Sequence, residues 1–432
     1  MSTRALLPAV ALLAAAGLLG GCAATSSGQQ AAGQAANAAP GAATAPAAGT
    51  PSRAGSGGSR AVPAASCASS SAAVTPSGGG TAPALQAIQF VDQSHGWAAG
   101  AGRIMATSDG GRTWARQYSG TAALQQLDFT DAAHGWAAGQ GTLLRTTDGG
   151  ATWTALPAPQ LNGHCQALSS VHFVSPDLGY AIAAGTGAAS TGTSAPDAGG
   201  QLLRTTDGGM TWVPVPGAPA GPQAVCFSSP RDGYVGGPGR IWRTTDGGAT
   251  WSLAFTEPAA APGQAPAAGQ PAGDTPELQC AGQDAAWVLF LGPGAAMLHA
   301  PYLAYATKDG RAWHGVLEET MLESALRPAL HLPDGPGSEP GPFSVISPDA
   351  AAFVGYTPPA NGWGAAPLDM ATNGGSTLKS AGDVPAVNLP LAASFLTPAQ
   401  GWVVGENLKT GRFAIEATTN AGRTWTTQYA TS

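Results

Sequence analysis

Residues 146–153 read Thr146-Thr147-Asp148-Gly149-Gly150-Ala151-Thr152-Trp153, and this octapeptide decides the fold. It recurs with small changes at Thr107 to Trp114, at Asp207 to Trp212 and at Asp246 to Trp251. Three degenerate copies follow. Thr307 to Trp313 keeps Asp309 but is one residue short, Asn373 to Leu378 has Asn for Asp and Leu for Trp, and Asn420 to Trp425 closes the series. A second signature precedes each turn: an apolar residue and, seven positions later, an aromatic. The pairs are Phe90/Trp97, Phe129/Trp136, Phe173/Tyr180, Phe227/Tyr234, Cys280/Trp287, Ile346/Phe353 and Phe395/Trp402. Two independent signals thus count seven repeats.

Each repeat reads as four short strands, of the type Leu124–Phe129, Gly135–Gly139, Leu143–Thr146 and a fourth starting near Trp153. One such sheet cannot bury both of its faces, whereas a closed ring of them can. The fold expected is all-β: a seven-bladed propeller of four-stranded antiparallel blades over 82–432. In the turn, the Asp carboxylate accepts hydrogen bonds from its own backbone and the glycines adopt positive φ. Asp109, Asp148, Asp207, Asp246 and Asp309 are therefore read as structural, with Trp114, Trp153, Trp212 and Trp251 filling the wedges between blades.

These turns resemble the Asp-box, or BNR, repeat of sialidases, sortilin-type receptors, xyloglucan-degrading glycosidases and photosystem II assembly factors. The pairing of Phe-x5-Gly-Trp-Ala-x-Gly with Thr-Thr-Asp-Gly-Gly-x-Thr-Trp looks most like the assembly-factor family. That resemblance implies a propeller that binds a membrane-protein precursor, with the Asp boxes away from the binding site.

The ends of the chain differ in composition. Met1 to Arg4 carries one positive charge, Ala5 to Leu19 is apolar, and Leu19-Gly20-Gly21-Cys22 resembles the lipobox of bacterial lipoproteins. The resemblance implies a signal peptide over 1–21, cleavage before Cys22, and lipidation of its thiol, which anchors the protein outside the cytoplasm on a membrane face. Residues 22–81 are rich in Ala, Gly, Ser and Pro, with Arg53 and Arg60 as the only charges. Such a stretch cannot bury enough apolar surface to fold and reads as a disordered stalk. Of the remaining cysteines, Cys226 and Cys280 fall near one another on adjacent inner strands, which favours a disulfide between them and leaves Cys67 with Cys165.

Composition narrows the function. With 62 glycines, 36 prolines and three lysines, the chain is unsuited to a coiled coil or to neutralising nucleic-acid phosphates. No phosphate loop, metal cluster or catalytic triad is recognisable, so neither cofactor nor metal is expected. Arg145, Arg204 and Arg243 repeat one position rather than forming the carboxylate clamp of a sialidase. His95 and His134 likewise hold equivalent turn positions. The Glu residues sit in no setting that pairs two carboxylates for glycoside hydrolysis.

The long insertions all fall on the face away from the Asp boxes: 186–200, 257–275, 291–302, 316–341 and 357–367. His299, Tyr302, Tyr305 and Trp363, on or beside these loops, are the candidate binding residues. The sequence reading is a lipid-anchored, extracytoplasmic, monomeric propeller acting as a non-catalytic protein-binding or assembly scaffold, with a protein partner at the loop-rich face. A sialidase-like or other glycoside hydrolase on the same fold is the alternative, and a sortilin-like receptor is a third.

Overall fold

The computed structural model describes residues 85–431, apart from 140, 162–163, 184–199, 259–273, 293–300, 320–329 and 358–363. The leader, Cys22 and the stalk lie outside the described residues. The first sheet contains β1 (Leu85–Phe90), β2 (Gly96–Thr107), β3 (Ala115–Phe129), β4 (Gly135–Gly139), β5 (Thr142–Thr146) and β6 (Thr154–Ala155). A two-stranded ribbon follows, β7 (Gln160–Leu161) with β8 (His164–Cys165). The second sheet is β9 (Leu168–Phe173), β10 (Gly179–Ala183), β11 (Gln201–Thr205) and β12 (Val213–Pro214). The third is β13 (Ala224–Phe227), β14 (Gly233–Gly237), β15 (Arg240–Thr244) and β16 (Ser252–Thr256). The fourth is β17 (Thr275–Cys280), β18 (Ala286–Leu291), β19 (Tyr302–Thr307) and β20 (His314–Glu319). The fifth is β21 (Phe343–Ser347), β22 (Ala350–Val354), β23 (Ala366–Thr372) and β24 (Thr377–Val384). The sixth is β25 (Leu389–Phe395), β26 (Gly401–Asn407), β27 (Arg412–Thr418) and β28 (Thr426–Ala430).

The architecture is an all-β propeller of antiparallel meanders, but among the described residues there are six blade sheets, beside the two-stranded ribbon, rather than the seven blades expected. The difference lies in β3. Its first part, to Ala123, pairs with β2, and Leu124 to Phe129 pairs with β4. One strand therefore closes the first copy of the repeat and opens the second. The reason is chemical: residues 115–129 contain no proline, whereas the corresponding links after Trp153 and Trp212 carry Pro157 and Pro159, and Pro214, Pro216, Pro219 and Pro222. Proline removes a ladder donor and ends the strand. Repeats 1 and 2 thus share the six-stranded sheet, and repeats 3 to 7 have one four-stranded sheet each.

The first strand of each repeat faces the axis, and successive first strands pack on one another. Strand β1 packs against β25, so the described ring closes by side-chain contact, with no strand of one terminal sheet inserted into the other. Three rings build each of four junctions. Phe129 stacks on Trp97 of the preceding repeat at 3.6 Å between centroids and meets its own box residue Trp153 edge-on at 5.9 Å. Phe173 lies likewise between Trp136 and Trp212, Phe227 between Tyr180 and Trp251, and Phe90 between Trp402 and Trp114. Each aromatic contact adds about 0.5–1.5 kcal/mol beyond the area it buries. The glycine before the second aromatic is needed for this closeness: a Cβ on Gly135 would lie 2.2 Å from the Phe129 ring.

Repeat 6 departs from the expected pairing of Ile346 with Phe353. Ser344 faces Ala352 across the ladder as Gln89 faces Trp97, so Val345 occupies the repeat position of Phe90. Phe353 is shifted by one and packs on Phe343, with centroids 5.6 Å apart.

The Asp-box turn demands a left-handed residue after the Asp. Gly110, Gly149, Gly208 and Gly247 fill it at φ of 74°, 69°, 73° and 75°. In repeat 7 an alanine, Ala421, is held there at φ 60°. A Cβ in that region costs about 1–2 kcal/mol, part of which glycine returns through its larger unfolded-state entropy. Ala421→Gly is therefore expected to raise the midpoint of urea denaturation, by a gain of about 0.5–1 kcal/mol. An unchanged or lower midpoint would contradict this reading of the turn.

Candidate functional site

A strand at the hub has a partner on only one edge, and its other edge must find hydrogen bonds elsewhere. Polar side chains of the inner strands supply them, chiefly the residue before the repeat Phe and, in repeat 2, Gln126 as well. The Gln89 amide accepts from Phe129 N at 2.7 Å and donates to Phe129 O at 3.2 Å. Gln126 treats Val171 in the same two-way manner, and Asp128 accepts from Phe173 N at 2.5 Å. His172 Nε2 donates to Phe227 O at 2.7 Å. Gln279 bonds Phe343 O and Val345 N, both at 2.9 Å. Ser344 Oγ accepts from Phe395 N at 2.9 Å, and Ser394 Oγ accepts from Phe90 N at 3.0 Å, completing the circle. Between repeats 4 and 5 the tie is covalent: Cys226 and Cys280 form a disulfide with Cα atoms 5.6 Å apart. Cys165 sits exposed in the β7–β8 ribbon, and Cys67 lies outside the described residues.

These ties fill the hub. A cavity of about 30 Å³ remains on the axis, lined by inner-strand residues including Gln89, Gln126, Gln279, Ser344 and Ser394. That volume accommodates about two waters. Three ionisable groups are buried on the inner strands. Burial pushes the Asp128 carboxyl up to about 8, against the lowering effect of the Phe173 N–H, and pushes Glu277 up to about 8 as well. Burial also lowers His172, whose Nδ1 stands 3.8 Å from Asp128. The distance would suit an ion pair, yet desolvation drives both partners to their neutral forms.

The Asp boxes perform the turn chemistry their sequence implies. Thr146 Oγ1 donates to Asp148 Oδ1 and accepts from Gly150 N, both at 2.8 Å. Asp148 also takes Thr152 N at 2.8 Å and Thr152 Oγ1 at 2.6 Å. Those bonds hold its pKa down at about 2. Asp109, Asp207 and Asp246 repeat the geometry. In the shorter box, Asp309 accepts from Arg311 N and Ala312 N at 2.8 and 2.9 Å. Six of the boxes are pinned by a backbone bond to the first turn of their own repeat, as by Gly149 N to Ala133 O at 2.8 Å and Gly247 N to Arg231 O at 2.8 Å. In those turns His95 and His134 cap Asp92 and Asp131, with Nδ1 to Oδ2 distances of 2.8 and 2.9 Å.

The arginines are staples between repeats. Arg145 lies over Trp136 and donates to Pro176 O at 3.0 Å, and Arg243 lies over Tyr234, donates to Asp309 O at 3.2 Å and pairs with Asp284. Arg204 lies beside Tyr180. Two buried glutamates serve the backbone: Glu318 accepts from Leu330 N and Leu332 N, and Glu257 from Asp274 N. Among the described residues no cluster of three or more His, Cys, Asp or Glu is arranged to hold a metal.

The candidate binding residues are placed differently from the sequence reading. Tyr302 and Tyr305 are not on a loop: both belong to β19 and are buried, and the Tyr302 hydroxyl donates to Pro336 O and Gly337 O at 3.2 and 2.9 Å. Strand β19 begins at Tyr302 and so claims both side chains for the core. His299 and Trp363 lie outside the described residues. The hub ties were missed, although their signal is present: Gln89-Phe90, Asp128-Phe129, His172-Phe173, Gln279-Cys280 and Ser394-Phe395 each put a polar residue where strand burial calls for an apolar one.

The family model described as photosynthesis system II assembly factor YCF48 matches residues 79–175 and 120–274. Among curated proteins, none matches the sequence. Among solved structures, the chain is similar to YCF48 bound to D1 peptide, at 17% identity over 74% of this chain and 90% of that one, with a TM-score of 0.46. It is similar to the GH74 xyloglucanase from Xanthomonas campestris at 16% identity over 81% of this chain, with a TM-score of 0.51. A GH74 enzyme from Niastella koreensis gives 14% identity over 80% of this chain and the same TM-score. The chain spans 55% and 54% of the lengths of these two enzymes, and the likeness to them is one of fold. The chain is an Asp-box propeller, and over residues 79–274 it matches the photosystem II assembly-factor family model.

The buried hub acids give a pH test. Asp128 and Glu277 hold protons more tightly in the fold than the ordinary carboxylate near 4, so the stability they add is complete below about pH 4 and is lost as pH rises through about 8. His172 has the opposite sign: it costs the fold stability only as pH drops below about 6.5. Between about pH 6.5 and 8 the denaturation midpoint is expected to fall, and Asp128→Asn with Glu277→Gln to flatten that fall. An unaltered slope in the double variant would contradict the assignment.

Proposed function

We propose that this chain is a non-catalytic binding propeller of the assembly-factor kind, carried outside the cytoplasm on acylated Cys22 and acting as a monomer. The observation that carries the reading is the filled hub. Polar groups that an enzyme would aim at a substrate are spent on neighbouring backbone, and about 30 Å³ leaves no room for a sugar ring between two carboxylates. The family match over residues 79–274 supports the assembly-factor comparison. The client is a protein segment, for which the resemblance implies a membrane-protein precursor, docking on the face away from the Asp boxes, where His299 and Trp363 supply contacts.

The test is chemical cross-linking and affinity capture of the full chain from its native membranes. One protein is expected to co-purify in stoichiometric amount, with recovery falling about tenfold or more in His299→Ala/Trp363→Ala, as loss of interface anchors does. Cys22→Ala is expected to shift the chain from the membrane to the soluble fraction. Sugar release from xyloglucan, with no co-purifying protein, would overturn the proposal.

A further inference from the structure

We propose that closure of the ring is oxidation-dependent, with the junction between repeats 4 and 5 acting as a thiol-controlled latch. The other inner-strand junctions are tied by side chains that hydrogen-bond to backbone and need no chemistry to form. At this junction both elements of the repeat have been exchanged for sulfur. Cys226 stands at the tie position held elsewhere by Gln89 or His172. Cys280 stands at the position of Phe90, Phe129, Phe173 and Phe227, and so removes the ring on which the preceding aromatic would stack. Tyr234, the aromatic concerned, instead meets Trp313 edge-on at 6.0 Å and donates its hydroxyl to Asp284 O at 2.5 Å. The inner strands β13 and β17 are thus held together by a bond that exists only after oxidation.

Burial gives the order of events. Cys226 and Cys280 are 1% and 5% exposed within a cluster that includes Tyr234, Ile241 and Leu278, so an oxidant reaches the sulfurs before that cluster packs. The co-reactant is a disulfide donor of the dithiol class. The Cys226 thiolate attacks a donor sulfur and expels one donor thiolate. The Cys280 thiolate then attacks Cys226 Sγ and releases the second, so two electrons and two protons pass from the cysteines to the donor. The reduced chain forms its sheets but leaves β13 and β17 unlatched, and the oxidised chain is a closed ring.

Hydrogen exchange of the full chain, refolded either with oxidised glutathione or with dithiothreitol, tests this. In the reduced sample, amide protection in β13, β14 and β17 is expected to fall by about tenfold or more, with β1, β4 and β25 within about twofold of the oxidised sample. Cys226→Gln/Cys280→Phe restores the tie and the ring used by the other repeats, and its protection in β13, β14 and β17 is expected to be the same under both conditions, whatever reduction of the disulfide-bonded Cys165 does elsewhere. Equal protection of β13 and β17 in the two wild-type samples would overturn the latch. So would a loss spread evenly over all sheets, or one centred on the β7–β8 ribbon around Cys165.

Discussion

The whole ring depends on how the innermost strands satisfy the edge that no strand covers. A buried N–H or C=O left without a partner costs about 1–3 kcal/mol, and every repeat would bear that cost at the hub. A primary amide carries the same donor and acceptor as a peptide group. Gln89, Gln126 and Gln279 can therefore stand in for a missing strand by bonding both ways to the next repeat. Ser344 and Ser394 supply half of that exchange, and Asp128 with His172 divides it between an acceptor and a donor. Neighbouring inner strands are thereby joined without extending the ladder from repeat to repeat.

Outside this polar girdle lies the aromatic layer. Phe90, Phe129, Phe173 and Phe227 are each held between an aromatic of the preceding repeat and the Trp of their own Asp box, so the turn chemistry and the inter-repeat packing are coupled there. Trp136 Nε1 donates to Gly208 O at 3.0 Å, and Trp97 Nε1 to Gly149 O at 3.2 Å, so the buried indoles read the backbone of the next box directly. That face is consumed by structure.

Much of this was legible in the chain. Seven copies of a turn and of an aromatic pair implied a ring of β meanders, and the position of Cys226 and Cys280 on adjacent inner strands implied their bond. Three features were read differently. The lack of proline between Trp114 and Phe129 lets β3 run through two repeats, which reduces the sheets to six although the motif occurs seven times. Tyr302 and Tyr305 follow an insertion, but the strand ladder starts at Tyr302 and takes both inside. The girdle escaped notice because Gln, Asp, His, Cys and Ser do not look like one motif, and only their shared geometry unites them.

The most direct test of the account is the stability cost of removing a single amide tie. Gln126→Ala and Gln89→Ala each leave a buried N–H and C=O of the next repeat without partners, and each is expected to destabilise the chain by about 1–3 kcal/mol in urea denaturation. Alanine at exposed Gln93 is expected to have an effect within about 0.5 kcal/mol. If Gln89→Ala and Gln126→Ala proved as neutral as that surface control, the girdle would not be what holds the repeats together.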